Sequence, residues 1–417
     1  MPKSGSPLEL TTLAAIPLVM VLGNSMIVPV LPTMEKELNL TQFQVSLIIT
    51  AFSFAAGLII PFVGYLSDRF GRKVIIVPAL ILYGIGGIVA GLAAWLMDEA
   101  YNIILIARIV QGIGAAGTAP IAMALIGDLY SGSKESKALG LIEATNGLGK
   151  VLSPILGSLL ALLVWYAVFF AFPALCFLTA VAVWFLIKEK KPEKPKPLKQ
   201  YLASLKEVFK EQGGWLITAF FVGSTGLFIL FGVLFYLSDI LETDYKLDGV
   251  PKGGVLAIPL MAMVTTAYIT GGRIKQNKPL MRKIMLTGLF ILTASLTTVA
   301  FFKQLYVMIG LLTLGSIGTG LLLPCLNTLI TGAVAKSERG MITSLYNSLR
   351  FIGVAVGPPI FSWLMGISHQ TLFFSVAGLA AFAFLLTFFF IKPGAKTKKD
   401  SGKAEGKTTL FQKVPAK

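Results

Sequence analysis

The stretch Gly64-Tyr-Leu-Ser-Asp-Arg-Phe-Gly-Arg-Lys-Val-Ile-Ile76 interrupts two long apolar runs with a burst of charge. A charged side chain at the centre of a bilayer costs roughly 3 kcal/mol or more. Asp68, Arg69, Arg72 and Lys73 are therefore expected in a tight turn at a membrane surface, joining two spanning helices. Gly64 allows close helix approach, Asp68 can cap the next helix or pair with an arginine, and Arg72 and Lys73 anchor the surface.

Working outward, the whole chain fits that reading. Of its 417 residues, 55% are apolar and only 13% charged, with a mean hydropathy of +0.79, which excludes a soluble domain. A bilayer core of about 30 Å takes roughly 20 apolar residues per helix. Twelve such runs are predicted, at residues 10–32, 44–66, 74–97, 103–127, 139–163, 166–187, 215–238, 252–271, 284–302, 305–333, 341–366 and 371–391. The first contains Pro17, Asn24 and Pro29 and has no small-residue cleavage site after it, so it is expected to stay as a helix.

An even number of crossings puts both ends of the chain on one side. Of the 36 basic residues, Lys36, Lys246, Lys252 and Lys303 fall in expected outer loops and Arg108, Lys150 and Arg350 inside helices. All the others fall in inner loops and tails, so both termini are expected in the cytoplasm of a multi-pass cell-membrane protein. The formal charge of +16 is then accounted for by anionic membrane lipid, and nucleic acid is not an expected partner. Cys176 and Cys325 lie in apolar helices and are expected to be packing residues. No metal, no cofactor and no nucleotide-binding loop is expected, and the protein is expected to act as a monomer.

The organisation is expected to be all-α, two pseudo-symmetric six-helix bundles: residues 1–187, a cytoplasmic linker at 188–214, a second bundle at 215–391, and a basic cytoplasmic tail at 392–417, expected to be disordered. In the linker, Leu198, Tyr201, Leu202, Leu205, Val208 and Phe209 recur at helical spacing opposite Lys199, Lys206 and Lys210. This predicts an amphipathic helix lying on the inner membrane surface. A constant offset of 204 residues superposes Gly114 on Gly318, Pro120 on Pro324, Gly149 on Gly353 and Pro154 on Pro358. Such parallel repeats suit two halves rocking about a central site.

Polar groups inside the spans are the candidate functional residues. The fourth span reads Arg108-Ile-Val-Gln111-Gly112-Ile-Gly114-Ala-Ala116 and ends on Asp128. The fifth reads Gly149-Lys-Val-Leu-Ser153-Pro154-Ile-Leu-Gly157-Ser158, and the eleventh repeats a shorter version from Gly353 to Gly357-Pro358. Lys150 stands seven residues after Glu143, so the two share a helical face with Asn146 and Gly147. By the 204-residue offset, Asn347 falls at the position of Glu143 and Arg350 at that of Asn146.

The twelve spans and these three motifs together resemble the drug and proton antiporter branch of the major facilitator superfamily. The resemblance implies alternating access, with Gly64, Asp68, Arg69, Gly71, Arg72 and Lys73 latching the halves in the outward-open state. Topological anchoring by the basic residues is the plainer alternative. At the repeat position Gly272-Arg-Ile-Lys-Gln-Asn-Lys278, Gln276 stands where the acid would fall, so one latch is expected to be stronger. The resemblance also gives Arg108 a part in proton relay or a core hydrogen-bond network; plain bonding to backbone carbonyls is the other reading. The family's fifth-helix run carries glycine where Ser153 and Ser158 stand. Serine still permits close packing, so Gly149, Ser153, Pro154, Gly157, Gly353, Gly357 and Pro358 are expected to bring helices together.

The substrate is expected to be a small molecule and the coupling ion the proton. Glu143, Asp128 and Arg108 are the candidates for proton coupling, with Asp68 also in view; the histidine, His369, falls in a short outer loop and suits that role poorly. The candidate cavity residues are Asn24, Gln111, Glu143, Asn146, Lys150, Asn347 and Arg350. With several cations and one acid the cavity would be electropositive, unless Glu143 and Lys150 neutralise each other. Proton-coupled drug efflux is thus expected, with dedicated export of an anionic metabolite such as a siderophore, or flipping of an acidic lipid, as the alternative. An enzyme is not expected, because the spans hold no histidine cluster, metal-ligand spacing or paired carboxylates.

Overall fold

The computed structural model describes residues 7–130, 133–189, 198–274, 277–333 and 336–392. Within them the fold is all-helical, two six-helix bundles, and eleven helices are long and apolar enough to cross a membrane. The first span is α1 (Pro7–Ser25), a 3-10 turn over Val28–Val30 and α2 (Leu31–Glu37). It is followed by α3 (Gln42–Phe70), α4 (Arg72–Leu96), and α5 (Tyr101–Ala116) with α6 (Ala119–Leu129). The fifth crossing, α7 (Ser133–Ala161), is not among those eleven: it is long enough but is made less apolar by Asn146, Lys150, Ser153 and Ser158. The sixth crossing, α8 (Ala167–Ala171) with α9 (Pro173–Leu186), completes the first bundle.

The second bundle comprises α10 (Leu198–Thr243), α11 (Gly249–Ile274), α12 (Lys278–Val299), α13 (Leu305–Ala333), α14 (Lys336–Met365) and α15 (His369–Phe390). Side chains close the helix ends. Thr41 and Gln44 form a reciprocal capping box on α3, and the Ser368 hydroxyl accepts from the Thr371 amide at 3.0 Å. Large apolar side chains such as Phe62, Phe185, Tyr268 and Trp363 lie on the outside, where lipid and not water would meet them.

The repeat is visible in the packing. A Cβ on Gly114 would press on the backbone of Ala79 and Tyr83 in α4, and one on Gly318 on the backbone of Gly288 and Leu292 in α12. Gly149 abuts Leu18 and Val21 of α1, and Gly353 abuts Ser224 of α10. Fourth span on third and fifth on first thus recur in both bundles.

Two seams join the bundles, α3 with α14 and α7 with α11. Along the first, Thr50 Oγ1 donates to the Ala355 carbonyl at 2.6 Å and Ser348 Oγ to the Gly57 carbonyl at 2.5 Å. At the end where Lys36 lies, one apolar cluster runs through both bundles, from Met26 and Val30 to Leu237 and Leu241. At the end where Asp68 lies, each bundle keeps its own cluster, Leu13 to Ile187 in one and Val208 to Ile391 in the other. The halves are fused at the Lys36 end and separately cored at the Asp68 end.

Two expectations are modified. The linker helix is not a separate surface element: α10 runs unbroken for 46 residues, about 69 Å, against a bilayer core of about 30 Å. Val208 is buried against the second bundle, with Phe209 packed beside it, so that part of the apolar face is covered by protein. The side chains of Leu198, Lys199, Tyr201, Leu202 and Leu205 lie outside the described residues, as do Gln276 and residues 393–417. Lys252, expected in an outer loop, is instead within α11 and fully buried.

Candidate functional site

Arg108 is the largest fully buried side chain among the described residues, and its guanidinium is bonded all round. Nη2 donates to Asn24 Oδ1 at 2.9 Å, Nη1 to Gln111 Oε1 at 2.7 Å and to the Gly23 carbonyl at 3.4 Å, and Nε to the Ile48 carbonyl at 3.2 Å. The group also lies 4.5 Å from the centre of the Phe52 ring. Three of the predicted cavity and coupling residues, Asn24, Arg108 and Gln111, are thus brought together inside the first bundle, where they tie α1, α3 and α5. Both readings of Arg108 have a basis here, since it bonds carbonyls and side chains alike. Among the described residues no carboxylate bonds to it.

The Asp68 loop is bonded within its own bundle. Arg72 Nη1 meets Asp68 Oδ1 at 2.5 Å and donates to Ser67 Oγ at 2.6 Å, while Arg72 Nε donates to Asp128 Oδ2 at 3.0 Å. Asp128, a predicted coupling residue, is therefore an anchor of this loop. Gly71 has φ 106°, a left-handed conformation open to glycine. Gly64 faces the other bundle, where a Cβ would lie 2.7 Å from Ser344 Oγ. Arg69 lies over the Phe70 ring.

Capping of α4 falls to a residue that sequence reasoning missed. Glu189 accepts the Arg72 amide at 2.6 Å and the Lys73 amide at 2.9 Å, satisfying two open donors at the helix start. Lys73 Nζ returns to the Ile187 carbonyl at 3.1 Å and sits over the Trp184 ring. The available signal was an acid placed two residues beyond the sixth apolar run.

The third group lies on the seams. Gly147 of α7 packs on Val264 of α11, and Glu143 and Lys150 flank it at one-turn spacings on the same face. The charges of Arg350, on α14, and of Glu143 both act on Lys150. No hydrogen bond or ion pair joins Glu143 to Lys150, so the self-neutralised pair is not formed in this state. Arg350 Nη1 reaches Asn347 Oδ1 at 3.4 Å and its guanidinium lies 5.3 Å from the Tyr346 ring. Arg350 Nε and the Tyr346 hydroxyl are buried without hydrogen-bond partners. Asn146 is half-buried on α7, with no side-chain hydrogen bond among the described residues. The arrangement is two cations from opposite bundles, one with an open donor, beside a lone exposed carboxylate.

The small residues of the fifth and eleventh spans lie at close helix contacts. A Cβ on Gly157 would press on the Met26 carbonyl, and one on Gly357 would lie 2.7 Å from the Phe228 carbonyl. Ser153 is buried and donates to the Gly149 carbonyl at 2.6 Å. The Pro154 carbonyl would lie 2.6 Å from a Cβ on Gly253 of α11. Pro358 lies within α14, at the start of its Pro-Pro pair.

A family model described as Major Facilitator Superfamily matches residues 13–281 and 280–416. The Bacillibactin exporter of Bacillus subtilis (strain 168) is 46% identical over 394 residues, spanning 94% of this chain and 97% of that protein. Multidrug efflux protein YfmO of the same organism is 27% identical over 391 residues, 88% of each chain. The crystal structure of the human organic anion transporter MFSD10 (TETRAN) superposes with a TM-score of 0.73 at 20% identity, over 93% of this chain and 100% of that one, which shows a shared fold.

Proposed function

The chain belongs to the Major Facilitator Superfamily and is a multi-pass membrane transporter; from that premise we propose that it is a dedicated secondary exporter of an amphipathic anionic metabolite such as a siderophore. The observation that carries this is that Lys150 and Arg350, from opposite bundles, lie within electrostatic reach of each other, with Arg350 Nε unpartnered and, among the described residues, no carboxylate bonded to either cation. The 46% identity to a bacillibactin exporter along nearly the whole chain supports it. Guanidinium presents a planar fork to an oxyanion and ammonium a compact charge, so the pair can hold two acidic groups of one molecule.

In this account the Asp68 end is cytoplasmic, as the basic loops suggest, and so are both termini. The state described is then open toward the cytoplasm, with its outer end closed. The substrate enters at the cytoplasmic end, spans Lys150 and Arg350, and the bundles rock along the two seams to expose it outside the cell membrane. The protein works as a monomer. Glu143, on the same helical face as Lys150, carries the exchanged proton: a bound anion draws Lys150, and the proton taken up from outside neutralises Glu143 for the return. The Asp68 loop latches the outward-open state.

A second reading, broad proton-coupled drug efflux, is favoured by the likeness to YfmO. The two separate by breadth. Cells lacking a dedicated exporter retain one acidic product and stay resistant to unrelated toxic compounds; cells lacking a multidrug carrier become sensitive to several and retain no product. The second pattern overturns the proposal.

A further inference from the structure

The end fused between the bundles is tied by a charge group that the central site does not use. Lys252 Nζ, on α11, donates to the Pro29 carbonyl at 2.6 Å and to Glu242 Oε2 at 2.8 Å. The other oxygen of Glu242, at the end of α10, meets Lys36 Nζ at 2.5 Å. Pro29 and Lys36 belong to the first bundle, Glu242 and Lys252 to the second, so the group crosses the interface twice. Lys252 is 0% exposed and Glu242 8%, whereas Lys36 is 61% exposed. Beside them the Ser238 hydroxyl donates to the Val28 carbonyl at 2.8 Å, a further crossing bond. Glu35, Asp239 and Asp248 also lie within electrostatic reach of the group.

Lys252 lies along the α7–α11 seam that also carries Lys150. The next residue, Gly253, packs on Pro154 and Ser158 of α7, and Pro154 is four residues beyond Lys150, a rise of about 6 Å. A third cation therefore stands one or two helical turns along the same seam from Lys150, toward the closed end. In the present state the carboxylate of Glu242 occupies it. A fully buried ammonium needs such a partner, and removing the partner alone is far worse than removing both.

We propose that Lys252 is a second binding position for the anionic group of the substrate, on its way out, and that Glu242 fills this position while the end is closed. An arriving anion takes the place of the Glu242 carboxylate, the bonds that cross between the bundles are released, and the closed end opens. Exit is thereby tied to the presence of an anion. The inference rests on the anion-exporter reading, but its gating part is measurable without any substrate.

The test uses full-length protein in detergent with Cys176 and Cys325, the two buried cysteines, replaced by alanine. The reporter substitution is Val28→Cys, at a position now 2% exposed, and its rate of maleimide labelling reports opening. Glu242→Gln is expected to raise that rate at least tenfold with no ligand present, because it strands a buried lysine in the closed state alone. The double variant Lys252→Met/Glu242→Leu is expected to label at the parent rate. Bacillibactin, used as the probe, is expected to accelerate labelling in the parent and not in the double variant. An unchanged rate in Glu242→Gln overturns the gate; if that variant fails to accumulate, Lys252→Met takes its place, expected to label faster because it leaves the buried Glu242 with only the exposed Lys36 as its cationic partner. Acceleration that persists in the double variant but is lost in Lys150→Ala overturns the exit position and leaves the central site standing. Acceleration lost in the double variant but kept in Lys150→Ala does the reverse, and a parent protein indifferent to bacillibactin overturns the exit position.

Discussion

Asn24 Oδ1 accepts from Arg108 Nη2 at 2.9 Å, joining the first span to the fourth in the interior of one bundle. A charge at membrane depth is thus met by a neutral amide, an aromatic face and backbone carbonyls. Arg108 then holds three helices in register, and any part in proton movement would have to run through neutral groups.

Arg108→Ala is expected to lower the stability of the purified protein by about 3–5 kcal/mol, because Asn24, Gln111 and two carbonyls lose their donor together. Arg108→Lys keeps the charge but lacks the planar fork, and is expected to recover only part of the loss. Thermal unfolding in detergent checks both. An Arg108→Ala protein of parental stability that has lost only proton flux would instead assign the residue to the relay.

The glycines of the fourth and fifth spans should differ sharply. A Cβ on Gly114 would lie 2.7 Å from the Ala79 carbonyl and 2.7 Å from the Tyr83 amide, both rigid backbone. Gly149 faces the side chains of Leu18 and Val21, at 3.2 Å each, which can shift. Gly114→Ala is expected to cost about 1–3 kcal/mol and Gly149→Ala well under that. Side-by-side melting curves give the comparison, and equal losses would contradict it.

Glu189→Ala should loosen the start of α4, where its carboxylate satisfies the Arg72 and Lys73 amides. The expected loss is about 1–2 kcal/mol, read as faster hydrogen exchange over residues 72–76, with the rest of the first bundle unchanged. Protection that stays at the parental level would show that the cap contributes nothing.

The reach of sequence reasoning follows from what kind of signal each feature leaves. Twelve apolar runs must become helices in lipid, since backbone groups there have no water to bond, and the Gly114 and Gly318 match across the repeat survives as matching helix contacts. The fifth span was legible from its length despite Lys150, which lowers its apolarity. The Asp128 to Arg72 pair was also foreseeable, both residues falling at the same membrane face. Partners set by distant packing were not. Glu189 finds the α4 amides from 116 or more residues away along the chain, and Lys252 looked like a loop residue because its partner Glu242 ends a different helix. Nor does periodicity tell that Asn24 and Gln111 turn toward Arg108, because a polar face inside a bundle and one lining a cavity have the same spacing.

Glu143→Gln tests the coupling role. The variant should still exchange substrate across the membrane at near the parental rate but no longer concentrate it against a gradient, since an amide cannot take up the proton. Vesicles with and without an imposed pH gradient give the two rates. Undiminished uphill transport would remove Glu143 from the mechanism.

The central claim is that Lys150, together with Arg350, makes this an anion carrier. The direct measurement is proton release from inverted membrane vesicles, followed with a pH-sensitive dye as matched cationic, neutral and anionic amphipathic compounds are added to the parent and to Lys150→Ala. The account predicts a response confined to the anionic compound and lost in Lys150→Ala. A response to the cationic compound that does not depend on Lys150 would contradict it.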